Sequence, residues 1–131
     1  MRVHHVGVLV PDIAAGSKTY QEQLGYGAES EITFDPLQQA YLQMLRDDNG
    51  TFVELIQPAD EKSKLHNLLQ KRGSGPVHLC YSVNDIDQKV AQLRQSGFLP
   101  ILPPTPAELF SGKRVAFFLS STQEIIELVE E

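Results

Sequence analysis

The sequence predicts an α+β fold built from two βαβββ modules, and three observations predict it. A repeat at an offset of 73 positions carries His5 onto His78, Val10 onto Val83, Asp12 onto Asp85 and Ile13 onto Ile86. The same offset carries Glu54 onto Glu127, each inside a short apolar segment, VELIQ at 53–57 and IELVE at 126–130. Each copy opens on a β-branched, period-two run and passes through an aspartate into a segment of helical period.

Residues 3–10 are rich in valine and stop at Pro11, which reads as a strand. Period two puts His5, Gly7 and Leu9 on one face and Val6, Val8 and Val10 on the other. Asp12 is placed to cap a helix running to about Leu24, with Gly25 as its left-handed stop and Ile13, Tyr20 and Leu24 as its apolar stripe. Strands are expected over 27–34, 39–46 and 51–57, the last two joined by the turn Asp47-Asp48-Asn49-Gly50. A linker from Pro58 carries Leu65, Leu68 and Leu69 at helical spacing and closes at Lys71-Arg72-Gly73. In the second copy His78, Cys80 and Ser82 share one strand face. A helix over 85–95 presents Ile86, Val90 and Leu93. A strand over 98–102, an extended proline-rich loop over 103–106, and strands over 114–119 and 124–130 complete the module. The expected organisation is one domain over 1–131: module one about 1–57, the linker helix about 58–74, module two about 75–131.

Composition narrows the function classes. At 131 residues, 41% hydrophobic and 21% charged, the chain suits a single core. A net charge of −6 disfavours a nucleic-acid or anionic-membrane partner. Cys80 is the only cysteine, so no internal disulfide forms and a reducing compartment is expected. MRVHHVGVLV has no signal-peptide apolar region, and VAFFL is too short to span a bilayer. The expected setting is cytoplasmic and the expected partner a small molecule.

The repeat singles out four residues. In each module a histidine lies on the first strand and a glutamate on the last, 49 positions later. If the modules pair about a pseudo-twofold axis, His5, Glu54, His78 and Glu127 converge. Their small neighbours Gly7, Cys80 and Ser82 leave room for a cavity. Two neutral imidazoles and two carboxylates suit one divalent ion such as Co, Ni, Zn, Mn or Fe. A lone strand histidine is ordinarily a core or surface residue. A glutamate inside an apolar strand is harder to explain so, because an isolated buried carboxylate is costly. Strand alternation points His4 away from His5 toward solvent, and His66 reads as a solvated helix residue. Cys80 reads as a small buried side chain. Lys113 and Arg114 are hairpin charges that could meet a phosphate.

The paired modules and the pattern His5, Glu54, His78, Glu127 resemble the vicinal oxygen chelate superfamily, whose fold is a cupped, barrel-like mixed sheet with helices outside, around a divalent metal. Lactoylglutathione lyases, methylmalonyl-CoA epimerases and extradiol dioxygenases belong to it. SKLHNLLQKRGSGPVHLCYSVNDI, VELIQP and GKRVAFFL…IIELVE are similar to the epimerase branch. The resemblance implies an isomerase acting by proton transfer next to a carbonyl, with His5, Glu54, His78 and Glu127 on the metal. It also implies Glu127 first and Glu54 second as proton carriers, and a substrate such as an acyl-CoA. A glyoxalase-type lyase is the alternative enzyme. A non-catalytic binding protein of the same fold is the alternative class. A ring-cleaving oxygenase would leave Glu54 surplus. The chain departs from the epimerase pattern at Val77-His78 (ordinarily His-His) and at Ser120-Ser121-Thr122 (ordinarily His-Pro-Lys). It departs again near Leu42, where the family places a second carboxylate base. Neither Gln43 nor Tyr41 supplies a base there. The resemblance admits closure within one chain or across a homodimer.

Overall fold

The computed structural model describes residues 1–131. The chain divides into two compact units, His5–Val77, and Met1–His4 together with His78–Glu131. Each is an α+β module with the strand–helix–strand–strand–strand order expected from the repeat. No helix is long and apolar enough to cross a membrane.

In the first module β1 (Arg2–Leu9) runs parallel to β5 (Phe52–Pro58). β4 (Ala40–Arg46) lies antiparallel on the far side of β5. The single strand expected over 27–34 is two fragments, β2 (Gly27–Ala28) and β3 (Thr33–Asp35), both paired to β4. Between them the ladder is broken, since the N–H groups of Glu29 and Ser30 both donate to the Met44 carbonyl.

The helix after β1 begins as expected. The Asp12 carboxylate accepts from Ala15 N at 3.1 Å. The free N–H of Ile13 donates to Gln57 Oε1 at 2.8 Å, which ties the helix start to the end of β5. The α-helix α1 ends at Lys18 and continues as a π-turn over Thr19–Gln23, with Leu24 N bonded to the Thr19 carbonyl. The wider turn shifts the helical phase, so Leu24 is exposed instead of completing the apolar stripe. Val10, Ile13, Leu45, Val53 and Leu55 form the core between helix and sheet, flanked by Val8, Tyr20 and Tyr26. The linker helix α2 (Lys64–Arg72) is capped by Ser63 and stopped by Gly73 at φ 80°.

In the second module β6 (Gly75–Val83) runs parallel to β9 (Ile125–Glu130). β8 (Arg114–Leu119) and β7 (Leu99–Pro106) follow antiparallel. Asp85 caps α3 (Ile86–Gln95) through Gln88 N at 3.0 Å. Ile86, Val83, Ala116, Phe118 and Leu128 pack beneath it. The prolines expected in a loop over 103–106 instead belong to β7. That strand pairs only with β8 and carries two register shifts, which is where a sheet accepts residues lacking an N–H.

Candidate functional site

Strand alternation sorts each sheet into two faces, and the apolar core against the helix fixes which face is which. In the first module Val8, Leu45, Val53 and Leu55 point to the helix. The other face carries His5, Gly7 and Leu9 of β1, Phe52, Glu54 and Ile56 of β5, and Leu42, Met44 and Arg46 of β4. In the second module the face away from α3 carries His78 and Cys80 of β6, Ile125 and Glu127 of β9, and Phe117 of β8.

Each module thereby builds one buried histidine–glutamate pair from its first and last strands. His5 and Glu54 are 1% and 0% exposed, with Nε2 and Oε1 3.8 Å apart. His78 and Glu127 are 6% and 1% exposed, with Nε2 and Oε2 2.9 Å apart. The Phe117 ring meets the His78 ring edge to face, centroids 5.7 Å apart. Burying a carboxylate this completely is costly unless a positive charge lies close by. In each pair an imidazole nitrogen and a carboxylate oxygen are offered as ligand atoms. Nitrogen plus anionic oxygen fits a borderline divalent ion, so the residues present suit the metal that the resemblance implies.

Leu42 is 2% exposed and lies opposite Ile56, hence on the face of Glu54. No proton carrier stands at that position. Gln43 points to the helix side, where its amide donates to the Ser30 carbonyl at 3.2 Å. Its buried Oε1 has no partner. Tyr41 is partly exposed and packs on Phe34, centroids 5.5 Å apart.

Several side residues differ from expectation. His4 is half-buried instead of solvated, because its ring packs on Phe110 at 5.5 Å. His66 is likewise half-buried. Cys80, by contrast, is fully buried as expected, and lies directly opposite Glu127. Arg114 is committed to its own fold: it makes a paired contact with Asp87 at 2.9 and 3.1 Å and bonds Glu130 at 2.7 Å. Those contacts hold the Glu130 carboxyl below its ordinary range. A cavity of about 240 Å³ lined by Tyr81, Leu93, Phe98 and Glu124 opens on the helix side of the second sheet, not on the face of Glu127. Sequence reading overlooked Phe117 and Arg46 on the site faces. Only strand register shows that they share a face with the glutamates.

The family model of the Glyoxalase/Bleomycin resistance protein/Dioxygenase superfamily matches residues 4–117. The ethylmalonyl-CoA/methylmalonyl-CoA epimerase of Cereibacter sphaeroides is 30% identical over 117 residues, 88% of this chain and 86% of its own. The mitochondrial methylmalonyl-CoA epimerase of Dictyostelium discoideum is 26% identical, covering 99% of this chain and 78% of its own. Among solved structures, methylmalonyl-CoA epimerase from Mycobacterium tuberculosis superposes with a TM-score of 0.83 at 25% identity, over 98% of this chain and 87% of that one. The repeated modules, the paired site residues and these matches agree: the chain belongs to the Glyoxalase/Bleomycin resistance protein/Dioxygenase superfamily.

Proposed function

We propose that this chain is an epimerase-like enzyme that moves a proton next to the carbonyl of a small acyl thioester. We further propose that His5, Glu54, His78 and Glu127 together hold one divalent ion (Co, Ni, Zn, Mn or Fe), the two modules acting as one domain. The observation that carries this reading is the presence of a buried histidine–glutamate pair at the same place in both modules. The likeness to methylmalonyl-CoA epimerases supports the substrate class.

When bound, the ion supplies Lewis-acid stabilisation of the charge that develops on the substrate oxygen. Glu127 takes the α-proton. His78, 2.9 Å away, fixes the orientation of that carboxylate. Phe117, opposite Glu127, meets the imidazole edge to face and helps exclude water. Glu54 is the second proton carrier. Leu42 removes the independent base, so one carboxylate does most of the work.

The test is incubation of the metal-loaded protein with (2R)- or (2S)-methylmalonyl-CoA in deuterium oxide. Deuterium exchange with retention at C2 is expected. Fast inversion abolished by Glu54→Gln or Glu127→Gln would show that the two glutamates work as a two-base pair. No exchange with any acyl-CoA would sink the substrate class and favour a glyoxalase-type lyase. Failure to bind any transition metal in calorimetry at neutral pH would favour a binding protein.

A further inference from the structure

We infer that Arg46 is the anion-recognition residue of the first module's site face; the inference deepens the acyl thioester reading and rests on it for the identity of the substrate. Arg46 ends β4 opposite Phe52, and Phe52 lies opposite His5 on β1. Paired positions share a face, so the arginine, the histidine and Glu54 project to the same side. Two strand spacings separate Arg46 from His5, roughly 10 Å between Cα atoms. An extended arginine covers most of that distance.

The guanidinium, on an exposed residue, rests against its neighbours. Its central carbon stands 5.9 Å from the centroid of the Phe52 ring. Beneath it lies Gly50, where an added Cβ would come within 3.5 Å of Nη2. Gly50 has φ +83°, so a side chain there is disfavoured on backbone grounds too. The donors themselves are uncommitted: Arg46 makes no ion pair and no side-chain hydrogen bond. Asp47, its neighbour, spends its carboxylate inside the turn, accepting from Asn49 N at 2.9 Å and Thr51 N at 2.8 Å. Arg114 shows the alternative, since its guanidinium is consumed by Glu130 and Asp87.

A charged fork with free donors beside a ligand face matches a carboxylate or phosphate oxygen. The remaining side chains on this face, Leu42, Met44, Ile56 and Leu9, are apolar and buried, and they suit the uncharged part of the same substrate. The anion is therefore expected at the end of the face nearest the 47–50 turn, away from Leu42. Two sources carry that chemistry: a phosphate of the thioester's carrier and a free carboxylate on its acyl group.

The experiment measures binding by calorimetry for wild type, R46Q and R46K against three probes: propionyl-CoA, S-propionyl-pantetheine and the N-acetylcysteamine thioester of methylmalonate. Loss of the charge is expected to weaken the probe bearing the recognised anion about tenfold or more, with R46K partly restoring it. Weakening confined to propionyl-CoA assigns the phosphate. Weakening of the methylmalonate thioester assigns the acyl carboxylate. Equal affinities of wild type and R46Q for all three probes overturn the proposal, as does a wild type that binds none. R46K as weak as R46Q also overturns it, because the arginine would then serve only to pack on Phe52. A wild type that binds propionyl-CoA through Arg46 but exchanges no α-proton would instead sink the epimerase reading and leave this one standing.

Discussion

The two modules share one ladder and fill it differently. The offset that relates His5 to His78 also relates Gly7 to Cys80, Met44 to Phe117 and Arg46 to Leu119. Register bears this out: Glu54 lies between Gly7 and Met44, as Glu127 lies between Cys80 and Phe117. The second module packs its pair more tightly, at 2.9 Å against 3.8 Å, with an aromatic edge on the imidazole. The first has a glycine and a flexible thioether beside its glutamate, and a cation where the second has leucine. Identical backbone positions thus carry a closely paired carboxylate beside an aromatic ring in one module, and a more widely spaced pair beside a glycine, a thioether and a cation in the other.

If that contrast is functional, the largest effect falls on the chemistry. Glu127→Gln is expected to slow deuterium exchange by about 10²-fold or more, the range of a positioned acid–base group, and Glu54→Gln to slow it less. Exchange rates of the two variants at saturating substrate decide it, and equal losses would erase the asymmetry.

Metal retention comes next. On the proposed ligand set, His78→Ala and His5→Ala should each strip most of the ion. Phe117→Ala, which leaves the four proposed ligands in place, should weaken affinity by a smaller factor of about ten, the lower end for supporting residues around a metal. Metal analysis after dialysis against a graded chelator separates the three. An unaltered Phe117→Ala would show that ring to be ordinary core.

Stability sharpens the comparison further. Phe118→Ala, beneath α3, should cost about 3–5 kcal/mol, and Leu55→Ala, beneath α1, about 2–5 kcal/mol. Asp85→Ala should cost about 1 kcal/mol through its helix cap. Asp12→Ala is expected to cost less, because Gln57 independently binds the first N–H of that helix. Urea unfolding gives all four values.

The smallest effect is acid-dependent and belongs to the second module alone. Arg114 lowers the Glu130 carboxyl below its ordinary value, so the contribution is fully present above that ordinary value. It is lost as pH falls through the lower, folded one. Arg114→Gln should flatten the acid limb of a melting-temperature profile below about pH 4.5 and leave its shape near neutrality unchanged. An unchanged acid limb would mean that the exposed clamp is screened by solvent.

The repeat, the order of elements, both aspartate caps and the two histidine–glutamate positions are legible in the residues alone. All of these follow from local chemistry: strand alternation, capping and the cost of placing glutamate among apolar residues. Leu42 is equally legible there, and an apolar side chain carries no proton in any fold. Other features arise from contacts between elements. The π-turn that turns Leu24 outward depends on how the helix ends against its sheet. The prolines of β7 are strand residues because they lie where no second neighbour needs their N–H. Arg114 is spent and Arg46 is not because Glu130 on the neighbouring strand and Asp87 on α3, 16 and 27 positions away, reach Arg114, whereas no such partner reaches Arg46. Such pairings depend on strand register and on how a helix packs on its sheet, and no local window of residues encodes either.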